Sequence, residues 1–398
     1  MARPLRVAID LRPLALESGG GVGLLVQQYV EELSARDVTF VGIADRPVPA
    51  GRLPPGIPAW SATGSGGRIR WESLVLPAVL RGIDPPPDLF HATWNHGVPR
   101  GLPFPSLLSL HDVIPWRSPR FVPWPRPAWL HRALYRRAVR SSARAAARIV
   151  TLSEASRAAI EAILPEARGR IDVVPCAVPR WFQPAPPEAA DSLHARFGGP
   201  YWLYVGGFDP RKGVDTLLDA LAALSAEGRS LPPVVLAGAL SAEWRALRAR
   251  AEALGLVGAA GSSAAASGRA VAPVVAFPGF VPDADLSALY AGASLFIYPS
   301  RAEGFGIPPL LAMAAGVPVV AADSGAVPEV LGGAGVVVPA GDVAALAAAL
   351  RRIRDDPSLL SELRARGKAR AAGFTVAALA AQMRAAYERA ASGPGGST

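Results

Sequence analysis

Short runs of apolar, mostly β-branched residues alternate along the chain with longer segments in which apolar residues recur every three or four positions. The first pattern predicts buried strands and the second predicts amphipathic helices. Their alternation, in two successive halves of the chain, predicts parallel sheets covered by helices. The predicted strands are 6–10, 38–44, 88–92, 106–112, 148–153 and 171–175, then 202–206, 234–238, 274–278, 295–298, 318–322 and 336–339.

A proline-rich segment separates the two halves. Residues 179–191, PRWFQPAPPEAAD, have no helical or strand period and are predicted to be a linker. The first domain is therefore expected to span residues 1–183 and the second residues 184–375. Segments of loop composition are predicted to lack regular structure, the last of them as a disordered tail: 46–67, 255–268 and 392–398.

The most informative segment is FIYPSRAEGFGIPPLLAMAAGVPVV, residues 296–320. Gly304 and Gly306 flank Phe305, so that the backbone can approach a ligand closely before prolines begin a helix. The N-terminus of that helix favours a phosphate group. Glu303 stands among small and apolar neighbours, and it is predicted to accept hydrogen bonds from sugar hydroxyls. The alternative is an exposed loop glutamate.

A pair of cations follows another strand, in YWLYVGGFDPRKG, residues 201–213. Lysine is rare here, because all of the 41 basic residues except Lys212 and Lys368 are arginine. A turn after Gly207 brings Arg211 and Lys212 together, and their planar and compact charges suit a pyrophosphate. The alternative, a solvated helix start, is less favourable because cations oppose the dipole of a helix N-terminus.

A glycine-rich loop, GGGVG from Gly19, follows the first predicted strand and precedes a helix predicted at 22–33. This arrangement is typical of dinucleotide-binding folds, but Val26 occupies the position of the third glycine. A nicotinamide-dependent oxidoreductase is therefore disfavoured. Gly21 is predicted either to contact a ligand or to form a plain tight turn.

The pair His111 and Asp112 ends an apolar strand, SLLSL. The pair is expected at the carboxyl edge of the sheet, where doubly wound folds bind their ligands. His111 is therefore a candidate site residue, and a buried histidine with a structural role is the alternative.

Five segments, in order along the chain, resemble the retaining, nucleotide-sugar-dependent glycosyltransferases of family 4: GGGVG, LLSLHDVIPWRSPRFVPWP, TLSEASR, YVGGFDPRKG and residues 277–338. The resemblance covers nearly the whole chain and implies the GT-B fold. That fold has two Rossmann-like, doubly wound parallel-sheet domains facing a central cleft, with the last helix, 376–391, packing back on the first domain. Within the family, the chain is most similar to mannosyltransferases that build cell-surface polysaccharide.

The resemblance implies a hexosyltransferase that retains the anomeric configuration and takes GDP-mannose or a UDP-sugar as donor, with a glycan or a lipid-linked acceptor. No carboxylate indicates a covalent nucleophile, so the resemblance implies same-face attack by the acceptor. The implied catalytic residues are His111, Glu303, Arg211 and Lys212. The implied donor-binding residues are Gly21, Gly207, Arg211, Lys212, Val281, Glu303, Gly304, Phe305, Gly306 and Leu311.

Leu311 departs from the family pattern. The family has a second glutamate eight positions after the first, which binds the ribose hydroxyls, whereas this chain has leucine there. A lost hydrogen bond to a charged group commonly costs about 1.5–3 kcal/mol. A second function therefore stays open: a catalytically weak GT-B protein that serves as a binding or scaffold partner in a glycan-assembly complex.

Composition restricts the other classes. The net charge is +9, but the arginines are spread along the chain without a nucleic-acid-binding motif, so no nucleic-acid partner is expected. No Asp-x-Asp or His/Cys cluster has convincing ligand spacing, which predicts a metal-independent enzyme without a cofactor. Cys176 is the only cysteine, and no apolar run is long enough to span a membrane. A cytoplasmic location is expected.

Residues 126–148 are the most basic stretch, and arginines there alternate with aromatic and alanine positions. The spacing places several arginines on one helical face, which suits an anionic membrane surface. Together with Trp116, Phe121 and Trp124, this helix is predicted to bring the enzyme to the inner face of the membrane. A solvated basic face is the alternative.

Overall fold

The computed structural model describes residues 3–16, 20–49, 51–53, 57–61, 67–122, 124–228, 230–257 and 275–392. The chain divides into two compact units, one of Met1–Ala177 with Phe374–Thr398 and the other of Val178–Gly373. Some predicted features lie outside the described residues: Gly19, residue 274, residues 258–268 of the predicted loop and residues 393–398 of the predicted tail.

A parallel sheet forms the centre of the first unit. Its strands are β1 (Leu5–Asp10), β2 (Val38–Ala44), β3 (Ala59–Ser61), β4 (Leu89–Ala92), β5 (Ser106–Ser109), β6 (Arg148–Thr151) and β7 (Ile171–Val173). Their spatial order is β3-β2-β1-β4-β5-β6-β7. β4 and β5 are buried at every position, as expected for strands that are covered on both faces.

The second unit has its own parallel sheet. Its strands are β8 (Tyr201–Val205), β9 (Val234–Ala237), β10 (Val275–Gly279), β11 (Ala293–Tyr298), β12 (Val319–Asp323) and β13 (Val336–Pro339). Their order is β10-β9-β8-β11-β12-β13. In both sheets the order reverses beside the first strand, β1 or β8, and ligands of such folds bind at the carboxyl ends of the strands next to that point.

Fifteen α-helical segments are described. They are α1 (Gly20–Ser34), α2 (Arg68–Arg70), α3 (Leu76–Arg81), α4 (Ile114–Arg117), α5 (Ala128–Ala145), α6 (Glu154–Ile163), α7 (Pro187–Phe197), α8 (Val214–Ser225), α9 (Ala242–Ala253), α10 (Asp283–Ala291), α11 (Ile307–Ala314), α12 (Val327–Leu331), α13 (Val343–Asp355), α14 (Pro357–Ala371) and α15 (Val376–Ala391). A π-helical turn, Trp71–Val75, joins α2 to α3.

The last helix, α15, belongs to the first unit, where it contacts α1 and the strands β4, β5 and β6. Met383 and Tyr387 on this helix are fully buried. The Tyr387 hydroxyl lies 2.9 Å from Nδ1 of His91, a buried residue of β4. Buried apolar area and this hydrogen bond together hold the C-terminal helix on a sheet whose strands lie far away in the chain.

The twelve predicted strands are confirmed, but the predicted linker is wrong in part. Residues 187–191 belong to α7, because Pro187 provides a favourable first position and Gly198, in the left-handed conformation, ends the helix. Strand β3 lies within the segment 46–67, which was predicted to be loop. Unlike the equally short edge strand β7, which begins an apolar run, β3 is surrounded by proline and glycine, so its sequence has the composition of a loop.

Candidate active site

The turn that carries the two predicted cations follows β8 directly. Pro210–Lys212 form one 3₁₀ turn, and the Asp209 carboxylate caps it by accepting the backbone N–H of Arg211 at 3.2 Å. Gly213 ends the turn with φ of 66°, and a Cβ there would lie 2.1 Å from the Pro299 carbonyl oxygen. Only glycine fits this position, so the sequence PRKG fixes where both cations point.

Glu303 accepts hydrogen bonds from both of these cations. Lys212 Nζ lies 2.8 Å from its Oε1, and Arg211 Nη1 lies 3.2 Å from its Oε2. The Ser300 hydroxyl donates to Oε1 at 2.5 Å. The expectation that Glu303 is a lone carboxylate among small and apolar neighbours is therefore wrong. We call Arg211, Lys212, Ser300 and Glu303 the donor cluster.

Charge rather than burial decides the ionisation of Glu303. Burial raises the pKa of its carboxyl, but the charges of Lys212 and Arg211 outweigh that effect and lower the pKa below its ordinary value. Glu303 is therefore ionised near neutral pH. A second carboxylate, that of Asp209, lies 3.5 Å from Arg211 Nε, so both cations are held by carboxylates on the protein side.

Neighbouring side chains hold the donor cluster in place. Arg211 Nη1 donates to the Ala302 carbonyl at 2.9 Å, and the Arg301 backbone N–H donates to the Arg211 carbonyl at 2.7 Å. Lys212 Nζ lies 3.3 Å from the hydroxyl of the buried Tyr298 and 5.5 Å from the centre of its ring. These contacts link the β8 turn to the loop after β11, so the cluster is preorganised.

The glycine-punctuated loop leads into α11 as predicted. Gly306 has φ of 115°, and α11 begins at the next residue with proline in its first turn. Gly304 lies in the same loop, and Phe305 is buried. Gly325 packs against the backbone carbonyl of Glu303, and a Cβ on Gly325 would lie 1.9 Å from that carbonyl oxygen. The loop is thus built from close backbone contacts that exclude side chains.

Three further predicted donor residues belong to the second unit. Gly207 follows the end of β8, and its carbonyl accepts a hydrogen bond from the Tyr204 hydroxyl. Val281 follows β10, beside Phe280, whose side chain is 67% exposed. Leu311 is buried within α11. Gly207 and Val281 therefore lie at the carboxyl ends of their strands.

His111 lies in the first unit, in the loop between β5 and α4. Its Nε2 lies 2.9 Å from the Thr93 carbonyl oxygen, and its backbone N–H donates to Asn95 Oδ1 at 2.9 Å. Because a carbonyl can only accept, Nε2 carries the hydrogen and Nδ1 is the acceptor nitrogen. Nδ1 has no partner among the described residues. Burial lowers the pKa of His111, and the hydrogen bond to Thr93 opposes this less strongly, so the ring is neutral near neutral pH.

Gly21 is placed differently from the prediction. The helix α1 begins at Gly20, so Gly21 lies in its first turn instead of in the preceding loop. Gly20, with φ of 56°, supplies the left-handed residue at the start of the helix. The helix was expected to begin at Val22, whereas the structure includes Gly20 and Gly21 in it despite the low helix propensity of glycine.

A buried ion network at the end of β1 was missed by the sequence analysis. Arg12 donates to Asp10 Oδ1 at 3.0 Å, to Asp10 Oδ2 at 2.7 Å and to Glu72 Oε1 at 2.8 Å. His96 Nδ1 lies 3.1 Å from the same Glu72 oxygen. We call Asp10, Arg12, Glu72 and His96 the Arg12 network. The available signal was a carboxylate at the end of a buried strand, followed two residues later by arginine.

The Arg12 network perturbs both kinds of charged group. Burial raises the pKa of Glu72, but His96 and Arg12 outweigh it and lower this pKa to about 2. Burial alone would lower the pKa of Arg12, but Asp10 and Glu72 raise it above its ordinary value. Gly97 has φ of 105°, and a Cβ there would lie 2.8 Å from Arg12 Nη2. The network therefore needs glycine at this position.

The described residues contain no group of three or more His, Cys, Asp or Glu side chains placed to hold a metal ion. In the same part of the chain, no helix is long and apolar enough to cross a membrane. Metal independence stays a prediction.

The aromatic residues predicted to meet a membrane together with α5 differ in their exposure. Trp116 lies under the guanidinium groups of Arg136 and Arg140, at 5.3 and 5.0 Å, and Trp124 packs against Tyr135. Trp129, in contrast, is 71% exposed. Trp116 and Trp124 thus contribute to packing within the first unit.

Comparison with known proteins gives two family matches that together span most of the chain. Residues 19–180 match the model of Glycosyltransferase Family 4, and residues 199–356 match that of Glycosyl transferases group 1. The first match covers the unit with His111, and the second covers the whole donor cluster.

Two characterised relatives are similar in sequence. O-antigen chain mannosyltransferase B of Escherichia coli is 31% identical over 273 residues, which are 68% of this chain and 66% of that protein. The 2-deoxystreptamine glucosyltransferase of Streptomyces kanamyceticus is 33% identical over 258 residues, 62% of this chain and 61% of the other. The chain thus spans slightly less than two thirds of the length of these relatives.

A solved structure supports the fold. The sucrose-phosphate synthase of Thermosynechococcus elongatus superposes with a TM-score of 0.74 at 22% identity, covering 97% of this chain and 98% of the other. The two doubly wound parallel sheets are those of the GT-B class. The chain therefore belongs to the GT-B glycosyltransferases of family 4 and group 1.

Proposed function

We propose that this protein is a retaining hexosyltransferase that moves mannose from a nucleoside-diphosphate sugar to a glycan or lipid-linked acceptor during polysaccharide assembly. The observation that carries the proposal is the donor cluster, in which two cations and a buried carboxylate meet at the carboxyl edge of β8 and β11. Mannose is favoured because the mannosyltransferase relative matches the larger share of the chain. The glucosyltransferase relative makes glucose the second donor sugar to test.

The donor cluster supplies the charge that the leaving nucleoside diphosphate needs. Lys212 has three donor hydrogens and Arg211 has five, so each can keep its bond to Glu303 and still donate to a phosphate oxygen. Glu303 then holds both cations in position before the donor binds, which avoids reorganisation during the reaction. Preorganised donors of this kind are worth about 3–4 kcal/mol each in the transition state. Side chains are thereby proposed to stabilise the leaving group without a metal ion.

His111 is proposed to position the donor sugar. Its Nδ1 is an acceptor, fixed in that role by the bond from Nε2 to Thr93, and it is buried without a partner among the described residues; a sugar hydroxyl is proposed to supply that partner. Because no carboxylate is proposed as a nucleophile, the acceptor attacks the same face of the sugar that the diphosphate leaves.

The nucleoside is proposed to occupy the edge formed by Gly207 and Val281. The exposed ring of Phe280 offers apolar area beside them. Gly21, in the first turn of α1, is proposed to approach the donor or the acceptor. A cytoplasmic location, with peripheral contact through α5 and Trp129, completes the proposal.

Calorimetric titration with GDP, UDP, GDP-mannose and UDP-glucose tests the donor site. We expect one base to bind selectively, and we expect the variant R211A/K212A to lose at least about tenfold in affinity. R248A is the matched control, because Arg248 is an exposed arginine of α9 paired with Glu252 in the same unit. Equal affinity of both variants, or no binding by the unaltered protein, would contradict a donor site here.

One residue favours the alternative function, a catalytically weak binding partner in a glycan-assembly complex. Leu311 cannot accept hydrogen bonds from a ribose. Nucleotide release from the donor in the presence of membranes containing the natural acceptor distinguishes the two functions. Turnover that R211A/K212A abolishes supports the enzyme, whereas nucleotide binding without any turnover supports the scaffold.

A further inference from the structure

A cavity of about 990 Å³ opens on the first unit and is lined by residues from the segment 68–81, the loop after β4 and helix α5. Four arginines line it: Arg68, Arg81, Arg100 and Arg137. Glu72 is the acidic residue among the described lining residues, and it is already paired with Arg12 and His96. The cavity is therefore strongly positive.

Only some arginines of this unit are paired with carboxylates. Arg144, Arg148 and Arg157 each form an ion pair with a carboxylate. Within the described residues, the cavity arginines have no carboxylate partner. Arg68 lies 3.3 Å from the His96 ring, and Arg81 donates to the Gly101 carbonyl. Four guanidinium groups without counter-charges around one cavity constitute an anion site by charge alone.

A buried hydroxyl adds a directional donor to the same cavity. Ser142 is 3% exposed, and its Oγ accepts the backbone N–H groups of Gly97 and Val98 at 2.9 and 3.2 Å. Its oxygen is thereby held in place, while its own hydrogen remains available to a ligand. The described contacts show no protein acceptor for that hydrogen.

The rim of the cavity is apolar. Leu74 and Leu134 line it and are 65% and 39% exposed. Trp129 and Leu130, also exposed, precede Leu134 on α5. Exposed apolar side chains next to unpaired arginines suit a ligand that has both an anionic group and a hydrocarbon part.

We propose that this cavity binds the phosphate or diphosphate group of the acceptor, with an attached lipid chain lying along Leu74 and Leu134. The proposal rests on the proposed glycosyltransferase function and names the chemical class of its acceptor. The shared chemistry is a phosphate ester. It can come from a lipid-linked sugar diphosphate or from a water-soluble sugar phosphate.

The test uses the full chain in the R211A/K212A background, so that the donor cluster does not bind the probe. Inorganic pyrophosphate and farnesyl diphosphate are titrated by calorimetry. We expect both to bind, and we expect Arg100→Ala combined with Arg137→Ala to weaken both by at least about tenfold. Leu134→Ser should weaken farnesyl diphosphate alone, which identifies the lipid-linked source. Unchanged affinity for both probes in the Leu134→Ser variant would identify the soluble source.

Arg136→Ala is the matched control, since it removes the same charge from the neighbouring position of α5 without touching the cavity. It should leave both affinities unchanged. Failure of either probe to bind, or an equal effect of Arg136→Ala and Arg137→Ala, would overturn the proposal. Sedimentation with phosphatidylcholine vesicles that contain phosphatidylglycerol tests whether α5 binds a membrane surface instead. Equal loss of vesicle binding in both single variants, with pyrophosphate binding intact in both, would assign α5 to a membrane surface and overturn the cavity.

A failed acceptor site and a failed donor site give different results. Nucleotide affinity, measured in the otherwise unaltered protein, should survive Arg100→Ala with Arg137→Ala. It should be lost with R211A/K212A. Nucleotide affinity that is lost with Arg100→Ala and Arg137→Ala but kept with R211A/K212A would contradict both assignments.

Discussion

Two charge clusters among the described residues, the donor cluster of the second unit and the Arg12 network of the first, use their cations differently. The donor cluster sets two cations, Arg211 and Lys212, against Glu303, and Asp209 lies 3.5 Å from Arg211 Nε. The Arg12 network sets two carboxylates against one guanidinium, with His96 as a further partner. Arg211 and Lys212 keep donor hydrogens that an anionic ligand can use, whereas the buried Arg12 guanidinium binds both of its carboxylates and joins distant segments of the fold.

Both clusters depend on a glycine with positive φ, but for different reasons. Gly213 lets the turn of the donor cluster pass close to the Pro299 carbonyl. Gly97 leaves space for the Arg12 guanidinium. Gly213 thus sets the direction of the Arg211 and Lys212 side chains after β8. Gly97 makes room for a buried ion pair. The comparison therefore predicts loss of function at one site and loss of stability at the other.

Arg12→Ala should have the largest effect on stability. It leaves Asp10 and Glu72 buried without their cation, which commonly costs about 3–5 kcal/mol. The measurement is the free energy of unfolding of the first unit, from urea titration followed by hydrogen exchange of the β1 and β4 amides. Arg157→Ala is the control, because its pair with Glu154 is exposed on α6 and should contribute about 1 kcal/mol or less. Equal losses in the two variants would mean that the Arg12 network does not stabilise the unit.

Lys212→Ala should have the largest effect on turnover. Removal of one preorganised donor to the leaving diphosphate is expected to lower kcat about 10²- to 10³-fold. Lys368→Ala is the control, since Lys368 is the other lysine of the chain and lies exposed on α14 of the same unit. Nucleotide release from the best-binding donor is the measurement. The donor-cluster assignment fails if both lysine variants retain the same turnover. Neither variant should change the stability of the first unit.

The Glu72 carboxyl predicts a pH dependence of stability. Its folded-state pKa is lowered from 4.5 to about 2, so its contribution is fully present above about pH 4.5. That contribution is lost as the pH falls towards 2, and it amounts to about 3 kcal/mol at 1.36 kcal/mol per pKa unit. Glu72→Gln should therefore flatten the decline of first-unit stability between pH 4.5 and 2. A variant that loses stability with acid as steeply as the unaltered protein would show that Glu72 is not the titrating group.

The donor cluster was more accessible to sequence reasoning than the Arg12 network. The turn around Lys212 and the loop around Glu303 are each specified by contiguous residues, with glycine and proline at the positions that need special backbone angles. Their pairing across 91 residues was not predicted, because it depends on the adjacency of β8 and β11. The Arg12 network joins residues 60 apart through a π-helical turn, and no local pattern specifies that contact.

The fold shows the same division. Strands of three to seven residues were recognised from their apolar runs, and their parallel arrangement followed from the alternation with helices. The short edge strand β3 and the start of α1 at Gly20 were not recognised. In both places local propensity opposes the observed structure, and packing against the sheet or strand ladder overrides it.

Leu311→Glu should have the smallest effect and the most specific one. The residue lies in α11, where the family has a glutamate that binds ribose, and the substitution should tighten nucleotide binding about tenfold if ribose meets that position. Inorganic pyrophosphate has no ribose, so calorimetry should show its affinity unchanged. Leu311→Met controls for repacking of the buried position, because it keeps the volume without adding an acceptor. Unchanged or weaker nucleotide affinity in a folded Leu311→Glu variant would mean that ribose lies elsewhere, and would favour the scaffold function over the enzyme.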